Sequence, residues 1–349
     1  MKSQNEIYQE STQNIPLFQR MNNLKSNVIS RFYNYTKSEC PIPRLYPTKP
    51  ILFLGTIINP HIEKQQTNDF KNVITTHMNA YESFSSLLYF IYRKDFPVIP
   101  NTSLTTDCGW GCAIRSTQML VANAFIKING NDKITMRKTI QFFLDFYHVK
   151  CPYSIHSFFT TQSILQSSVN GNSYLPITVC CSAITELINR DIDNPIGCYM
   201  VSESIELETI SKPTIIFLPY SIPDKFSDHL QVIFSMEWFC GMIAGAKQKA
   251  FYFFGMHEDQ LLLLDPHIVK SHVQFVESFE EKQFIAQLSD VKSLKLKDLE
   301  SFVTFAFCVQ NTQQLLDLKQ FIKDVLGIYK KDTQLRQKEE CNGFEVLEF

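Results

Sequence analysis

The feature that most constrains the fold is a glycine-rich turn that runs directly into a helical pattern at residues 107–119. Gly109 and Gly111 surround Trp110, and Cys112 follows at once. Glycine lets the backbone turn tightly before a helix begins. Apolar or small residues then recur at helical spacing, which predicts a helix from about 112 to 128 with one buried face; they are Ile114, Thr117, Val121, Ala124, Phe125 and Ile128.

The position of Cys112 at the start of this helix makes its thiol a candidate nucleophile. A helix N-terminus carries the positive end of the helix dipole, which favours the thiolate, and thiolate is the form that attacks a carbonyl carbon. A buried structural cysteine is an equally good interpretation of the stretch taken alone, since most intracellular cysteines are of that kind. The choice depends on whether the chain supplies a base.

Length and composition narrow the class of protein. The 349 residues are 44% hydrophobic, which is enough for a sizeable core in one large domain or two ordinary ones. The net charge is -2 and no basic patch stands out, so we expect neither nucleic acid nor an anionic membrane as the main partner. No signal peptide or membrane-spanning run is recognisable, which predicts a cytoplasmic protein.

The ten cysteines show no spacing typical of a metal site or a disulfide framework, because no Cys-x-x-Cys occurs and Cys180 and Cys181 are adjacent. We therefore expect free thiols, no metal and no cofactor.

The chain divides into three parts. Residues 1–44 are rich in Asn, Gln, Ser and Thr, which predicts a mobile polar N-terminal tail. Residues 45–329 carry the strand and helix patterns and form the predicted folded domain. Residues 330–349 form a charged, flexible C-terminal tail that ends in aromatics.

Helical patterns dominate the first half of the domain and strands the second. Besides the cysteine helix we predict one from Tyr81 to Tyr92, with Phe84, Leu87, Leu88 and Ile91 on one face, and one from Thr135 to His148 with Tyr147 inward. Four apolar runs predict strands, several of them buried on both faces: 214–218, 251–255, 260–265 and 302–307. The sequence thus predicts an α+β fold with the cysteine helix packed on a sheet.

A base for the thiol is predicted at the end of one of these strands, in the segment Asp265-Pro266-His267. Residues i and i+2 of an extended segment project to the same side, so the Asp265 carboxylate can hold one ring nitrogen of His267 while the other faces Cys112. Pro266 stiffens the segment and suits a strand end. His156, His229, His257 and His272 lack such a placement, and we interpret His257 and His272 as solvated.

Together these residues resemble a known family. The pattern Asp-x-Gly-Trp-Gly-Cys-x-x-Arg-x-x-Gln-Met at 107–119 is similar to that of the autophagins, the autophagy-related cysteine proteases. Tyr92-Arg93-Lys94-Asp95-Phe96-Pro97 before it and Leu264-Asp265-Pro266-His267 after it also resemble the family. The similarity runs in order from about residue 55 to about 307.

The resemblance implies a papain-like cysteine protease fold with a Cys-His-Asp triad: Cys112 as nucleophile, His267 as base and then acid, and Asp265 as orienting group. Autophagins cut the C-terminus of the ubiquitin-like autophagy modifier after a glycine and release it from phosphatidylethanolamine during autophagosome formation. The implied partners are therefore the free and lipid-conjugated modifier, with transient contact to autophagic membranes through the substrate.

The resemblance also implies substrate-binding residues: Trp110 and Gly111 at the turn, Ala244 and Gly245 in a regulatory loop, and Phe344 and Leu347 in a C-terminal modifier-binding motif. A core tryptophan that braces the turn is an equally good interpretation of Trp110.

Two departures from the family pattern stand out. Ile58, beside Asn59, aligns with a family tyrosine whose hydroxyl can serve as an oxyanion donor, and Ser173 aligns with a tryptophan that clamps the substrate glycine. Ala244-Gly245 in place of Gly-Gly is a milder change.

Two alternatives remain open from the sequence. One is a protease for the ubiquitin-fold modifier, whose family also resembles Gly-Trp-Gly-Cys with Asp-Pro-His later. The other is a protein that binds the modifier without cutting it, an idea that the two departures motivate and that the intact Cys112, His267 and Asp265 oppose.

Overall fold

The computed structural model describes Asn34 and residues 40–46, 48–59, 78–167, 174–191, 194–202, 205–223 and 226–326. Eleven strands occur in these residues: β1 Ile51–Phe53, β2 Thr56–Ile58, β3 Tyr92–Lys94, β4 Gly197–Met200, β5 Thr214–Ser221, β6 Phe239–Ala246, β7 Lys249–His257, β8 Gln260–Leu264, β9 Val269–Ser271, β10 Val291–Lys295 and β11 Phe302–Val309.

Most of the strands form one sheet in the order β10-β8-β7-β6-β11-β5-β4, and the hairpin β1-β2 joins it through β7. Neighbouring strands are antiparallel except β4 and β5, which are parallel. A separate two-stranded sheet pairs β3 with β9 in parallel, so that Tyr92 lies opposite Val269. The predicted α+β architecture is confirmed, and its main sheet is mostly antiparallel.

Eight α-helices occur in the described residues: α1 Met78–Phe84, α2 Cys112–Asn129, α3 Lys133–Phe142, α4 Ile155–Phe158, α5 Gln162–Gln166, α6 Ile177–Arg190, α7 Ser227–Ser235 and α8 Thr312–Phe321. Short 3₁₀ turns occupy Glu281–Phe284, Leu288–Asp290 and Leu296–Asp298, and a π-helical turn, Ile322–Leu326, follows α8. None of the described helices combines the length and apolar character that crossing a bilayer requires.

The sheet is buried on both faces because alternate residues of its strands enter two different cores. In β5, Ile215 and Phe217 belong to the first core, which the sheet shares with α2 and α6, while Ile216 and Leu218 belong to the second core, which it shares with α7 and α8. Continuous apolar runs in the sequence follow from this arrangement.

Helix α2 packs against β6 and β7 of the sheet and against α3 and α6. Every residue from Cys112 to Phe125 is buried, so the helix is enclosed on all sides, whereas the sequence predicted one buried face. Polar side chains on its other faces pair inside the protein: Asn123, for example, hydrogen-bonds the backbone N–H and C=O of Leu88. The bounds of the helix agree with the prediction.

The predicted helix from Tyr81 to Tyr92 is wrong beyond Phe84. The Ser86 hydroxyl donates to the carbonyl of Ser83 at the end of α1, and the chain then extends. The Asn123 side chain hydrogen-bonds the backbone N–H and C=O of Leu88, and β3 begins at Tyr92. Helical spacing of apolar residues here reflects an extended segment that is buried on both sides.

The helix predicted to reach His148 ends at Phe142. The Phe142 carbonyl accepts from the backbone N–H of Tyr153, and the intervening segment carries Asp145 into an ion pair with Arg115. As a result Tyr147 is 66% exposed, not inward as the sequence predicted.

The described part of the N-terminal segment contacts the folded body. Asn34 forms two hydrogen bonds with the backbone of Val269, and the Pro41 carbonyl accepts from the N–H of Ser293. The predicted boundaries at residues 44/45 and 329/330 stay predictions, and the C-terminal tail 330–349 with Phe344 and Leu347 lies outside the described residues.

Candidate active site

The turn before α2 is closed by the backbone of Asp107. Its carbonyl accepts hydrogen bonds from the N–H groups of Trp110 at 3.2 Å and Gly111 at 2.9 Å, and Gly109 has a φ of +88° that favours glycine. Cys112 is the first residue of the helix and is 3% exposed. The thiol therefore lies at the helix N-terminus, as the sequence predicted.

Gly111 is required because the backbone approaches the Asp107 side chain closely. A Cβ at position 111 would lie 2.6 Å from the Asp107 Cβ and 2.8 Å from its Oδ2. Glycine at this position thus lets the helix start directly above a buried carboxylate.

Asp265 and His267 lie just beyond β8 in the predicted arrangement. The Asp265 Oδ1 is 2.6 Å from His267 Nδ1 and also accepts from the His267 backbone N–H at 3.0 Å. The Asp265 carbonyl accepts from the Tyr89 hydroxyl, and the ring of Phe251 lies 5.3 Å from the imidazole centroid. These contacts fix the ring orientation.

Cys112 and His267 lie close enough to shift each other's pKa values. Burial lowers the pKa of His267, but the hydrogen bonds that the ring donates to Asp265 and Cys112, together with the negative charges of those groups, outweigh burial and raise the pKa to about 9. Burial raises the pKa of Cys112, but the hydrogen bond and charge of His267, the Ala250 backbone and the Tyr92 hydroxyl together lower it below its usual value. The two shifts favour a thiolate–imidazolium pair.

Tyr92 is the site residue that the sequence interpretation missed, since it was placed in a helix. Its side chain helps to lower the pKa of the Cys112 thiol, and its ring stands edge-on to His267 with centroids 5.3 Å apart. Ile58, which aligns with the family tyrosine that can serve as an oxyanion donor, has no hydroxyl and pairs with Ile51 in the β1-β2 hairpin. The motif Tyr-Arg-Lys was visible in the sequence, but only the β3-β9 pairing brings its tyrosine to the thiol.

The other predicted site residues are placed as follows. Trp110 is buried, donates its indole N–H to the Thr106 carbonyl at 3.0 Å and packs edge-on against Phe159, which fits a bracing role. Ala244 and Gly245 lie in strand β6 and not in a loop, and the Ala244 side chain is part of the second core. Gly245 pairs with Ala250, whose backbone helps to lower the pKa of Cys112. Ser173 lies outside the described residues.

The competing histidines take other roles. His257 is fully buried, not solvated, and hydrogen-bonds the backbone of Tyr46 and Pro50. His156 is also buried and pairs with the Pro97 carbonyl. His272 is partly buried, with its ring against Phe146. In the described residues, no three His, Cys, Asp or Glu side chains are arranged to hold a metal ion.

A thiol at a helix N-terminus, beside an imidazole that a carboxylate orients, is typical of cysteine peptidases. The sequence of residues 77–321 matches the catalytic domain of peptidase C54. That match covers more than half of the chain, so the protein belongs to the peptidase C54 family.

Individual relatives carry names from the same family. The chain is 27% identical to the "Probable cysteine protease atg4" of Schizosaccharomyces pombe, over 73% of this chain and 80% of the relative. It is 21% identical to "Cysteine protease ATG4C" of Homo sapiens, over 80% of this chain and 76% of the relative.

Among solved structures, UfSP from C. elegans is similar with a TM-score of 0.31 and 14% identity, over 77% of this chain and 36% of that chain. A likeness of that size supports no conclusion.

Proposed function

We propose that the protein is a cysteine endopeptidase that cleaves the ubiquitin-like autophagy modifier after its C-terminal glycine and deconjugates it from phosphatidylethanolamine in autophagosome formation. The observation that carries the proposal is the Cys112–His267–Asp265 arrangement, in a chain whose relatives are named as Atg4 cysteine proteases. The cytoplasm is the proposed location.

The same chemistry serves both bonds. A peptide extension and phosphatidylethanolamine each join the glycine carboxyl group to an amine, so both substrates are amides. The Cys112 thiolate attacks the glycine carbonyl carbon, and His267 gives its proton to the leaving amine as the carbon–nitrogen bond breaks. Water, deprotonated by His267, then hydrolyses the thioester and frees the glycine carboxylate. Asp265 holds the imidazole in the required orientation throughout.

The oxyanion that forms on the glycine carbonyl needs two donors. The backbone N–H of Cys112 is one, because the first N–H groups of a helix have no carbonyl partner within it. The Tyr92 hydroxyl is the proposed second donor, because the Tyr92 ring lies edge-on to His267 and its side chain helps to lower the pKa of Cys112. It supplies the group that Ile58 lacks.

Trp110, Gly111, Ala244 and Gly245 are proposed to line the path of the substrate glycine, since Trp110 and Gly111 precede the thiol and Gly245 pairs beside it. Phe344 and Leu347 are proposed to bind the modifier at a second place. Membranes are then contacted through the lipid-conjugated substrate.

The test is cleavage of purified substrates by the full chain and by Cys112→Ala. We expect the full chain to remove a C-terminal extension from the autophagy modifier and to release the modifier from vesicles to which it is conjugated through phosphatidylethanolamine. Cys112→Ala should lose at least about 10⁴-fold in rate, because the nucleophile is gone.

Ubiquitin-fold modifier with a similar extension is the specificity control. Cleavage of the ubiquitin-fold modifier alone would mean that this modifier, and not the autophagy modifier, is the substrate. Binding of the autophagy modifier with no cleavage of either substrate would favour the non-catalytic alternative. Processing without release from vesicles would restrict the proposal to the first reaction.

A further inference from the structure

Beneath the cysteine turn lies a buried network of opposite charges that the reaction does not use directly. Arg115 Nε is 2.6 Å from Asp107 Oδ2, and Arg115 Nη1 is 2.8 Å from Asp145 Oδ1 and donates to Gln118. All of these side chains are buried; Asp107 and Arg115 are 0% and 1% exposed. Buried ion pairs contribute little net stability, so a network of this kind calls for another explanation.

Asp107 differs from Asp145 in the hydrogen bond that its second carboxylate oxygen accepts. Asp107 Oδ1 accepts a 2.6 Å hydrogen bond from the backbone N–H of Arg93. That N–H belongs to the peptide group that directly follows the Tyr92 Cα. In the other direction, the Tyr92 backbone N–H donates to the carbonyl of Pro266 at 3.0 Å. The backbone of Tyr92 is thus held between Asp107 and the residue that separates Asp265 from His267.

The remaining polar atoms of Asp107 serve the cysteine turn. Its carbonyl accepts from Trp110 and Gly111, and its own N–H donates to the carbonyl of Arg93. Arg115, one turn along α2, links the same carboxylate to the cysteine helix. One side chain therefore connects the strand that carries the Tyr92 hydroxyl with the helix that carries the thiol.

We infer that Asp107 is a positioning residue: its carboxylate, held by Arg115, sets the Tyr92 hydroxyl against the Cys112 thiol and the oxyanion that forms there. This inference rests on the proposed function for its catalytic consequence, but not for its effect on the thiol itself. A carboxylate suits the task because hydrogen bonds to a charged acceptor are shorter and stronger than those to a neutral one.

The chain offers a matched control. Asp107→Asn and Asp145→Asn each remove one negative charge from the same buried network and leave Arg115 with one carboxylate. Only Asp107 contacts the Arg93 amide. If Asp107 has a purely structural role, the two changes should affect the pKa of Cys112 equally. If it is a positioning residue, the two changes should shift that pKa by different amounts.

The first experiment measures the rate of Cys112 alkylation by iodoacetamide in the full chain against pH, read from the mass of the Cys112 peptide. No substrate is needed, so failure of the proposed function leaves this measurement intact. Asp107→Asn is expected to raise the apparent pKa of Cys112 by about one unit, because a displaced tyrosine hydroxyl no longer stabilises the thiolate. Asp145→Asn should shift it by less than about 0.3 unit on the same scale.

A double-mutant cycle with Tyr92→Phe then tests the route of the effect. Tyr92→Phe should raise the pKa as much as Asp107→Asn does, and the double variant should show no further rise. With the autophagy modifier as substrate, Asp107→Asn should lower kcat by about 10- to 100-fold and change KM by less than about twofold.

Equal pKa shifts in the two aspartate variants, or additive shifts in the double variant, would overturn the inference. Should Asp107→Asn lack a cooperative melting transition, Arg115→Lys takes its place, since lysine lacks the Nε–H donor to Asp107 and keeps the charge. An unchanged Cys112 pKa in folded Arg115→Lys would overturn the inference equally.

Discussion

The two sides of the sheet bury very different kinds of side chain. Beside the turn that starts α2, against the first core, two arginines and two aspartates are buried: Arg93, Asp107, Arg115 and Asp145. The second core, under α7 and α8, is built from Phe, Leu, Ile, Val and Met with rings such as Phe305 and Phe307 in contact.

This difference separates two tasks. Apolar burial stabilises a fold without fixing atomic positions closely, because it is roughly proportional to area and has no direction. Ion pairs and hydrogen bonds inside a protein are directional, and their net contribution to stability is small. The second core therefore holds the sheet together, while the charged network joins the strand that carries Tyr92 to the helix that carries Cys112.

The largest effect on stability is expected from Phe305→Ala in the second core. Phe305 is fully buried in β11, and removing a buried phenylalanine ring costs about 3–5 kcal/mol in the free energy of unfolding. Denaturant unfolding measures this loss. The rate per folded molecule, normalised by titration of active thiols, should stay within about twofold of the parent. A large change in that rate would show that the two sides do not act separately.

Asp265→Asn should lower kcat/KM by about 100-fold or more, because the imidazole loses the carboxylate that orients it and stabilises its protonated form. The pH dependence of kcat/KM tests the effect of Asp265 on the His267 pKa more directly. His267 is charged below a pKa of about 9, so the imidazolium that protonates the leaving amine is lost as pH rises through that value. In Asp265→Asn the alkaline limb should move down towards the ordinary histidine pKa of about 6.5.

The raised pKa of His267 also makes the stability of the folded protein depend on pH. A pKa raised in the folded state contributes stability that is fully present below about 6.5 and is lost as pH rises to about 9. The difference in unfolding free energy between parent and Asp265→Asn should therefore shrink over that window. A difference that grows with pH would contradict the assigned cause of the shift.

A smaller effect is expected from Gly111→Ala. The new Cβ would lie 2.6 Å from the Asp107 Cβ, so the turn or the carboxylate must move. We expect a loss of about 1–3 kcal/mol in stability from overpacking and about tenfold in kcat per folded molecule.

Gly130→Ala at the other end of α2 is the matched control. It strains a backbone with a φ of +93° but meets no atom within 4 Å, so kcat should not change. Equal kcat losses in the two variants would mean that contact with Asp107 is not what matters at position 111.

Much of this arrangement was predictable from sequence where the signal is local. The helix at Cys112, the strands around residues 214–218, 251–255, 260–265 and 302–307, and the Asp265–His267 pairing all depend on spacing within a few residues. Their positions agree with the structure because each pattern encodes its own geometry. The glycines of β6 hid that strand, since Gly241 and Gly245 weaken a strand pattern and favour a loop interpretation.

The parts that sequence reasoning missed depend on distant contacts. Asn123 satisfies the backbone of Leu88 from another helix and ends what looked like a continuous helical pattern. Arg115 pairs with Asp107, the aspartate before the turn. From the sequence alone, the position of Asp107 is equally compatible with a helix-capping role. The hydroxyl beside the thiol belongs to Tyr92, and only the pairing of β3 with β9 brings it there.

That small parallel pair also has a consequence for the order in which the protein acquires its reactivity. β3 and the cysteine helix leave the ribosome well before β9, and parallel strands from distant parts of a chain pair late. Until His267 and β9 have been synthesised and docked, Cys112 lacks the imidazole that lowers its pKa. The nascent chain therefore carries an ordinary thiol and gains its reactive thiolate only when the domain is complete.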